Sequence, residues 1–236
     1  MSPLSTIQAT VLVMLGNIRA AVMDSLPEIL DQRSTRELKT DGSYVTRGDL
    51  LAQELIVAQV IRHLPGATIV SEELKDNLAT CPSGTVVVVD PIDGTENFTS
   101  GLPEWGVSIS CYHGGRHVAS ILGCPELNSW AVSGTPLSSR QISRIRALSS
   151  SLTKSDLERI MNGHEYRIFG CCVYNMLQVI RGALLSFENP KGANAWDILA
   201  GLNLALERGL TVTVNDKSYA GEYLTPDRKY RFQVRN

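Results

Sequence analysis

The sequence predicts a fold that mixes α-helices and β-strands, because two long helical patterns precede a short run that is apolar on both faces. Apolar residues recur at helical spacing over residues 7–22 and 50–64, as they do in helices with one buried face. Residues 85–89 are Thr-Val-Val-Val-Val, and a β-branched strand without polar alternation is usually buried between two layers. With 236 residues, the chain is long enough to bury a sizeable core.

Local signals set the bounds of the other predicted elements. Pro27 predicts a break in the first helix, since proline lacks the N–H that a helix interior needs. Thr46 is suited to cap the second helix, and Pro65-Gly66 to end it. Residues 33–44 are expected to form a loop or a short hairpin. Alternating or apolar runs predict strands over residues 67–70, 106–112, 117–123, 129–133, 145–148, 166–169, 183–187, 211–214 and 230–234, and helical spacing predicts helices over 153–161, 170–182 and from 197 onward.

Composition and charge limit the kinds of partner and the cellular compartment that we expect for this chain. The formal net charge is −2 and the pI about 6.1, which argues against a nucleic acid held by bulk charge. The cysteines are odd in number and form no CxxC pair, so a reducing cytoplasm is expected rather than a disulfide framework or a zinc site; they are Cys81, Cys111, Cys124, Cys171 and Cys172. No run of about 18 uninterrupted apolar residues occurs, so we expect neither a signal peptide nor a membrane-spanning helix.

The stretch after the buried strand carries the chemistry, since residues 90–98 are Asp-Pro-Ile-Asp-Gly-Thr-Glu-Asn-Phe. Asp90 and Asp93 stand on a turn stiffened by proline, and two carboxylates held close favour a shared proton or a hard cation. Mg²⁺ prefers oxygen ligands together with substrate phosphate, and the backbone N–H groups of Gly94 and Thr95 can hold an anion. The alternative, from the residues alone, is a β-turn with solvated aspartates.

Three more stretches occur in order around this motif: Val-Thr-Arg-Gly-Asp at 45–49, Ser-Glu-Glu at 71–73 and Asn-Ala-Trp-Asp-Ile-Leu-Ala-Gly at 194–201. Together with residues 90–98 they resemble the signatures of the inositol monophosphatase family of Mg²⁺-dependent, lithium-sensitive phosphatases. The resemblance extends from about residue 39 to residue 209. It departs after Gly134, where the segment to residue 144 is short and lacks the Gly-rich hairpin of many members.

The resemblance implies an α+β fold, the layered α-β-α-β-α sandwich of inositol monophosphatases and fructose bisphosphatases, formed by a single domain over residues 1–236. Two subdomains would meet at the metal site: about 1–145 with a mixed sheet and most of the metal carboxylates, and about 146–236 as an α/β part that completes the site. The resemblance also implies a cytoplasmic homodimer that acts on a small molecule, with neither a nucleic acid polymer nor a membrane as partner.

The resemblance further implies hydrolysis of a phosphomonoester with two, and up to three, Mg²⁺ ions. The expected ligands are Glu73, Asp90 and the Ile92 carbonyl for the first ion, and Asp90, Asp93 and Asp197 for the second. Thr95, assisted by Asp49 or Glu73, would orient the attacking water. Taken alone, Asp197 is as well explained as a helix cap, and Glu73 as a solvated or capping residue.

Substrate recognition is expected at two places. The phosphate would lie against Asp93, Gly94 and Thr95, with Lys39 approaching from a loop whose charges would otherwise be solvated. Selectivity would come from Cys171 and Cys172 at a helix start and from Glu188 and Lys191 in the loop that leads to Asp197. The identities of these residues do not indicate whether the substrate is a polyol, sugar, amino-alcohol or nucleotide phosphate. The alternative function is a catalytically silent relative that binds a phosphate ligand and acts through protein interfaces.

Overall fold

The computed structural model describes residues 3–40, 42–74, 84–136 and 143–236. Within them the helices are α1 (Pro3–Asp24), α2 (Leu26–Asp31), α3 (Arg47–His63), α4 (Thr95–Thr99), α5 (Lys154–Ile160), α6 (Cys172–Ile180) and α7 (Ala195–Glu207). The strands are β1 (Glu37–Leu38), β2 (Tyr44–Val45), β3 (Thr68–Ser71), β4 (Thr85–Asp93), β5 (Gly106–His113), β6 (Arg116–Cys124), β7 (Ser129–Val132), β8 (Arg146–Leu148), β9 (Tyr166–Ile168), β10 (Ser186–Ala193), β11 (Thr211–Val214), β12 (Lys217–Ser218) and β13 (Tyr230–Arg235).

The first large sheet places the buried strand of the sequence analysis next to its centre. Its order is β3-β4-β5-β6-β7, with β3 parallel to β4 and the other pairs antiparallel. Because β3 and β4 are parallel, their carboxyl ends meet at one edge of the sheet. Glu72 and Glu73 follow β3 there, and Asp90 and Asp93 lie in the last part of β4. The sheet therefore brings two acidic motifs to the same edge.

The second sheet has the order β12-β11-β13-β10-β8-β9, in which β10 runs parallel to β8 and β8 parallel to β9. Strand β10 leads through Asn194 directly into α7. Its side chains alternate across the sheet, so that Phe187 lies in the core while Glu188 faces the outer side, where it meets Arg159 of α5. The second sheet thus supplies the strand that delivers α7 to the first sheet.

Helices and sheets stack as alternating layers, and β4 shows why. Val87 and Val89 pack on one side with α1 and α3, whereas Val86 and Val88 pack on the other with α6, α7 and the second sheet. All four valine side chains are buried. The predicted α-β-α-β-α sandwich is therefore confirmed, with α5 as the outer layer on the far side of the second sheet.

The N-terminal helical segment is divided where the sequence predicted. Helix α1 ends at Asp24, and Pro27 lies in the first turn of α2, where its missing N–H costs no hydrogen bond. Residues 5–24 are long and apolar enough to cross a membrane by length and composition alone, contrary to the expectation from uninterrupted runs. One stripe of α1 is nevertheless fully buried against the rest of the fold, as in a core helix; it consists of Val11, Met14, Leu15, Ile18 and Val22.

The structure also contains the predicted cap of α3 and a hairpin near residues 33–44. Thr46 caps α3 as predicted, and its side chain accepts a hydrogen bond from the Asp49 N–H at 3.2 Å. Strands β1 and β2 pair as a short antiparallel hairpin, which was one of the two alternatives for residues 33–44. The shortened segment after Gly134 lies partly outside the described residues, because the description stops at residue 136 and resumes at 143.

Close packing between β5 and α6 gives a test of this layered arrangement. A Cβ atom at Gly106 would lie 2.3 Å from Val173 Cγ1 and 2.6 Å from the Gly123 carbonyl oxygen, and a backbone oxygen in a sheet cannot move aside. Gly106→Ala is therefore expected to lower the free energy of unfolding by about 1–3 kcal/mol in urea denaturation.

Gly16→Ala serves as the control for Gly106→Ala. No atom lies within 4 Å of a Cβ at Gly16, and alanine is favoured over glycine by up to about 1 kcal/mol in a helix interior. Equal stabilities of the two variants would contradict the packing described between the first sheet and α6.

Candidate metal and phosphate site

The end of β4 is shaped to present its two aspartates. The pairing of β4 with β5 is irregular between Asp90 and Asp93, and the Ile92 N–H turns back to donate to Asp90 Oδ1 at 3.1 Å. Gly94 follows with φ = 83°, and a Cβ there would lie 2.9 Å from Cys171 Cβ. This position needs glycine both for its left-handed backbone and for the close approach of the next element.

Three carboxylates converge beside this turn. One oxygen from each of Glu72, Asp90 and Asp197 lies within 4.8 Å of the other two. Glu72 is held at the end of β3 because its N–H donates to the Val89 carbonyl at 3.3 Å. Asp197 is held in the first turn of α7 because its Oδ2 accepts from the Asn194 N–H at 2.8 Å. Three elements far apart in the chain therefore fix this cluster of acids.

The donor set of the cluster fits a hard cation. Asp90 is 1% exposed, and its Oδ2 is buried without a hydrogen-bond partner among the described residues. A buried acceptor left in this state is costly unless a cation or a proton occupies the space in front of it. All of the converging atoms are carboxylate oxygens, the ligands that Mg²⁺ prefers.

The fourth acid, Asp93, is anchored by the start of α6. Its Oδ2 accepts hydrogen bonds from the Val173 N–H at 2.5 Å and from the Cys171 thiol at 2.9 Å. Cys171 is also the N-cap of α6, since its sulfur accepts from the Tyr174 N–H at 3.2 Å. One oxygen of Asp93 is thus fixed by the start of α6, a contact that the sequence did not predict.

The electrostatics of the site follow from burying several acids together. Burial, and then the neighbouring carboxylates, raise the pKa values of Asp90 and Asp197 well above the ordinary range. Burial also raises the pKa of Asp93 to about 6, although its hydrogen bonds to Cys171 and Val173 oppose the shift. The cluster thus resists carrying its full negative charge and favours any cation that compensates it.

The structure distinguishes the two adjacent glutamates. Glu72 lies within the acidic cluster, whereas the Glu73 carboxylate accepts from Lys39 Nζ at 2.6 Å. Glu72, instead of Glu73, the residue chosen from the sequence, is therefore the glutamate that joins Asp90 and Asp197 in the acidic cluster. The sequence could not separate the two, because the glutamates follow the strand in a turn, where strand alternation no longer predicts direction.

Two residues expected to orient water have structural roles in this arrangement. Asp49 Oδ2 accepts from the Thr46 N–H at 2.8 Å and from its hydroxyl at 2.5 Å, which completes a capping box for α3. Burial raises the pKa of Asp49 to about 6. The Thr95 hydroxyl donates to the Ile92 carbonyl at 3.2 Å. Thr95 thus contacts the carbonyl expected to be a metal ligand, and Asp49 uses Oδ2 for its helix cap.

Glu188 and Lys191, expected in a loop, lie in strand β10, and only one of the two lines the cavity beside Asp93. A cavity of about 100 Å³ beside Asp93 is lined by Cys171, Cys172 and Lys191, together with three serines that the sequence analysis missed, Ser149, Ser150 and Ser151. Glu188 does not line this cavity. Its carboxylate accepts from Gln233 Nε2 at 3.1 Å on the outer side of the second sheet. Of the two residues of this strand that were expected to set selectivity, Lys191 therefore lines the cavity and Glu188 does not.

Lys191 has an ionic partner that was also missed. Its Nζ lies 2.8 Å from Asp156 Oδ2, and the lysine side chain is 39% exposed. Asp156 is the third residue of α5, and it accepts from the Thr153 N–H at 2.9 Å. The sequence signal for this pair was the Thr-x-x-Asp cap, which fixes Asp156 at the helix start but does not reveal what faces it.

Solved structures and relatives place this arrangement among phosphatases. A crystal structure described as an IMPase/NADP phosphatase with Mg²⁺ and phosphate superposes with a TM-score of 0.78 at 19% identity, covering 100% of this chain and 92% of that one. Among curated proteins, an inositol-1-monophosphatase of Mesorhizobium japonicum is 28% identical over 195 residues, or 73% of this chain and 72% of that protein. A fructose-1,6-bisphosphatase/inositol-1-monophosphatase of Thermotoga maritima is 29% identical over 187 residues, or 72% and 70%.

These likenesses define a phosphoric monoester hydrolase, as predicted. The model of the inositol monophosphatase family matches residues 8–232, nearly the whole chain. The protein therefore belongs to the inositol monophosphatase family, and the resemblance drawn from four short motifs is confirmed.

The raised pKa values predict how pH and Mg²⁺ affect stability. Folded Asp93 and Asp49 keep their protons up to a pKa of about 6, whereas in the unfolded chain aspartate loses its proton near pH 4. The folded state therefore binds more protons over this window, so these groups make the metal-free protein less stable as pH rises from about 4 to 6. Mg²⁺ should then raise the Tm more at pH 7.5 than at pH 5.5, because protons compete with it at the lower pH.

Differential scanning fluorimetry at the two pH values, with and without Mg²⁺, measures this difference. Asp90→Asn is the comparison variant, and it should show a smaller gain in Tm from Mg²⁺ at pH 7.5. An equal gain at both pH values in the wild-type protein would contradict the assignment of a cation to this cluster.

Proposed function

We propose that the protein hydrolyses a small phosphomonoester with Mg²⁺ as cofactor and water as the nucleophile. The observation that carries this proposal is the convergence of carboxylate oxygens from Glu72, Asp90 and Asp197, together with a buried Asp90 Oδ2 that has no hydrogen-bond partner among the described residues. A cytoplasmic homodimer is carried over from the family as part of the same proposal.

The residues present fit two ions. Glu72, Asp90 and the Ile92 carbonyl would hold one, and Asp90, Asp93 and Asp197 the other. Bound Mg²⁺ lowers the pKa of a coordinated water and neutralises charge on the phosphoryl oxygens. Asp90 is common to both sets and is the most buried of these acids, so it is the residue on which both ions would depend.

The remaining residues bind and orient. The N–H groups of Gly94 and Thr95 would hold the phosphate, and the Thr95 hydroxyl, which contacts the Ile92 carbonyl at 3.2 Å, would orient a water. Cys171 keeps Asp93 in place through its 2.9 Å contact. Such a site needs positioning and electrostatic stabilisation more than a covalent nucleophile.

The part of the substrate beyond the phosphate would be selected in the cavity beside Asp93. The names of the relatives include phosphatases of inositol phosphate and fructose bisphosphate, so we propose a phosphorylated polyol or sugar as the first class to test. The Lys191 ammonium would leave Asp156 for a second anionic group of the substrate, since the lysine lines this cavity and its side chain is 39% exposed.

Removal of the shared ligand tests the proposed reaction. Asp90→Asn keeps the side-chain shape but removes a charge from both metal sites, so kcat should fall at least tenfold, which corresponds to ~1.4 kcal/mol of transition-state stabilisation. The metal-free variant should be no less stable than the wild-type protein, because a buried repulsive charge is removed.

The measurement is phosphate release with Mg²⁺ over a panel of polyol, sugar, amino-alcohol and nucleotide phosphates. Retention of more than a tenth of kcat by Asp90→Asn would contradict the two-ion assignment. Phosphate-ligand binding without turnover on every substrate would instead favour the silent relative that acts through protein interfaces.

Lys191 provides the test of selectivity. Lys191→Ala should change the ratio of kcat/KM between a substrate with a second anionic group and one without by roughly tenfold, the value expected for one charge-assisted hydrogen bond. Glu188→Gln is the matched control from the same strand, and it should leave the ratio unchanged because Glu188 does not line the cavity beside Asp93. A uniform loss on all substrates in Lys191→Ala would assign that lysine a structural role.

A further inference from the structure

Lys39 connects the acidic cluster to the hairpin formed by β1 and β2. Its Nζ lies 3.0 Å from Glu72 Oε1 and 2.6 Å from Glu73 Oε1. The lysine side chain is 20% exposed and that of Glu73 is 6% exposed, so the contact is well shielded from water. The backbone holds the lysine in place, because its N–H donates to the Ser43 carbonyl at 2.8 Å across the turn of the hairpin.

Glu72 therefore has a cation on one side and a candidate cation site on the other. One is the Lys39 ammonium, and the other is the space that it shares with Asp90 and Asp197. A carboxylate that is hydrogen-bonded to a lysine has less charge to offer to a metal ion, since both cations draw on the same two oxygens. Glu73 is different, because it lies outside the cluster and its nearest charged partner among the described residues is Lys39.

We propose that Lys39 is a resident counter-cation of the metal-free site, which Mg²⁺ displaces from Glu72 and Glu73 then retains. In the metal-free protein the ammonium compensates the clustered acids. When Glu72 turns to the metal, Lys39 stays anchored to Glu73 and its remaining N–H groups become available to the phosphate. This inference rests on the proposed function, since it assumes that Mg²⁺ binds at Glu72.

The arrangement gives Lys39 opposite effects on two ligands. It weakens Mg²⁺ binding, because the ion must displace the ammonium from Glu72. It strengthens the binding of inorganic phosphate to the Mg²⁺-loaded protein, because the released ammonium faces an anion. A lysine with a merely structural role would affect both ligands in the same direction when it is lost.

The experiment compares Lys39→Met with the wild-type protein by isothermal titration calorimetry, first with Mg²⁺ alone and then with inorganic phosphate at saturating Mg²⁺. Methionine keeps the length of the side chain without its charge. We expect the Kd for Mg²⁺ to fall about tenfold, the ratio for ~1.4 kcal/mol, and the Kd for phosphate to rise by a similar factor. Lys39→Arg keeps a cation and should remain close to wild type for Mg²⁺, which guards against loss of folding as the explanation.

Lys154→Met is the matched control for net charge. Lys154 is 90% exposed and pairs with Glu158 on α5, so its loss should change neither constant. Unchanged or weaker Mg²⁺ binding in Lys39→Met would overturn the inference while leaving the proposed function intact. Absence of Mg²⁺ binding to the wild-type protein would overturn both.

A crystal structure of the wild-type protein with Mg²⁺ separates displacement from a remote effect of charge. The Lys39 Nζ to Glu72 Oε1 distance should lengthen from 3.0 Å to beyond about 4 Å, the limit of an ion pair, while the contact with Glu73 persists. An ammonium that still bonds Glu72 beside a bound Mg²⁺ would overturn the inference, even if the calorimetric constants change as expected.

Discussion

The whole structure depends on one energetically unfavourable arrangement, the burial of Asp90 against other carboxylates. Its side chain is 1% exposed, and one of its oxygens has no partner among the described residues. Desolvating a carboxylate beside others of the same charge opposes folding, and a cation or a proton is needed to offset it. The fold can sustain this position because Asp90 stands in a strand whose valines are buried on both faces, so moving the aspartate toward water would disrupt two cores at once.

The packing of the layers also brings acids from different parts of the chain together into one cluster. Glu72 comes from the end of β3, Asp90 from β4 and Asp197 from α7, which the second sheet delivers. The parallel pairing of β3 with β4 fixes the first two relative to each other. The packing of α7 against the first sheet fixes the third, so a disturbance of the core between the sheets would be felt as a change in carboxylate spacing.

The sequence predicts the layers and the motifs better than the direction of single side chains. The apolar run at residues 85–89 identified β4, and the helical spacing of apolar residues identified α1, α3 and α6. Both patterns can be recognised from residues that are close together in the sequence. It could not choose Glu72 over Glu73, since that choice depends on a turn after the strand. It also grouped Glu188 with Lys191, because both are near Asp197 in the chain, whereas in the structure Lys191 lines the cavity beside Asp93 and Glu188 does not. The partner of Lys191 required the placement of α5, which no local pattern supplies.

Three aspartates show why a local interpretation and a functional one need not compete. Asp49, Asp156 and Asp197 each stand third in a helix and accept a hydrogen bond from the backbone N–H of the capping residue, at 2.8, 2.9 and 2.8 Å. Each uses Oδ2 for this bond, and at Asp156 the same oxygen also pairs with a lysine. At Asp197 the nearby groups are Glu72 and Asp90, and at Asp156 the nearby group is the Lys191 ammonium. The cap fixes the position of the carboxylate, and the tertiary fold decides which other groups that carboxylate faces.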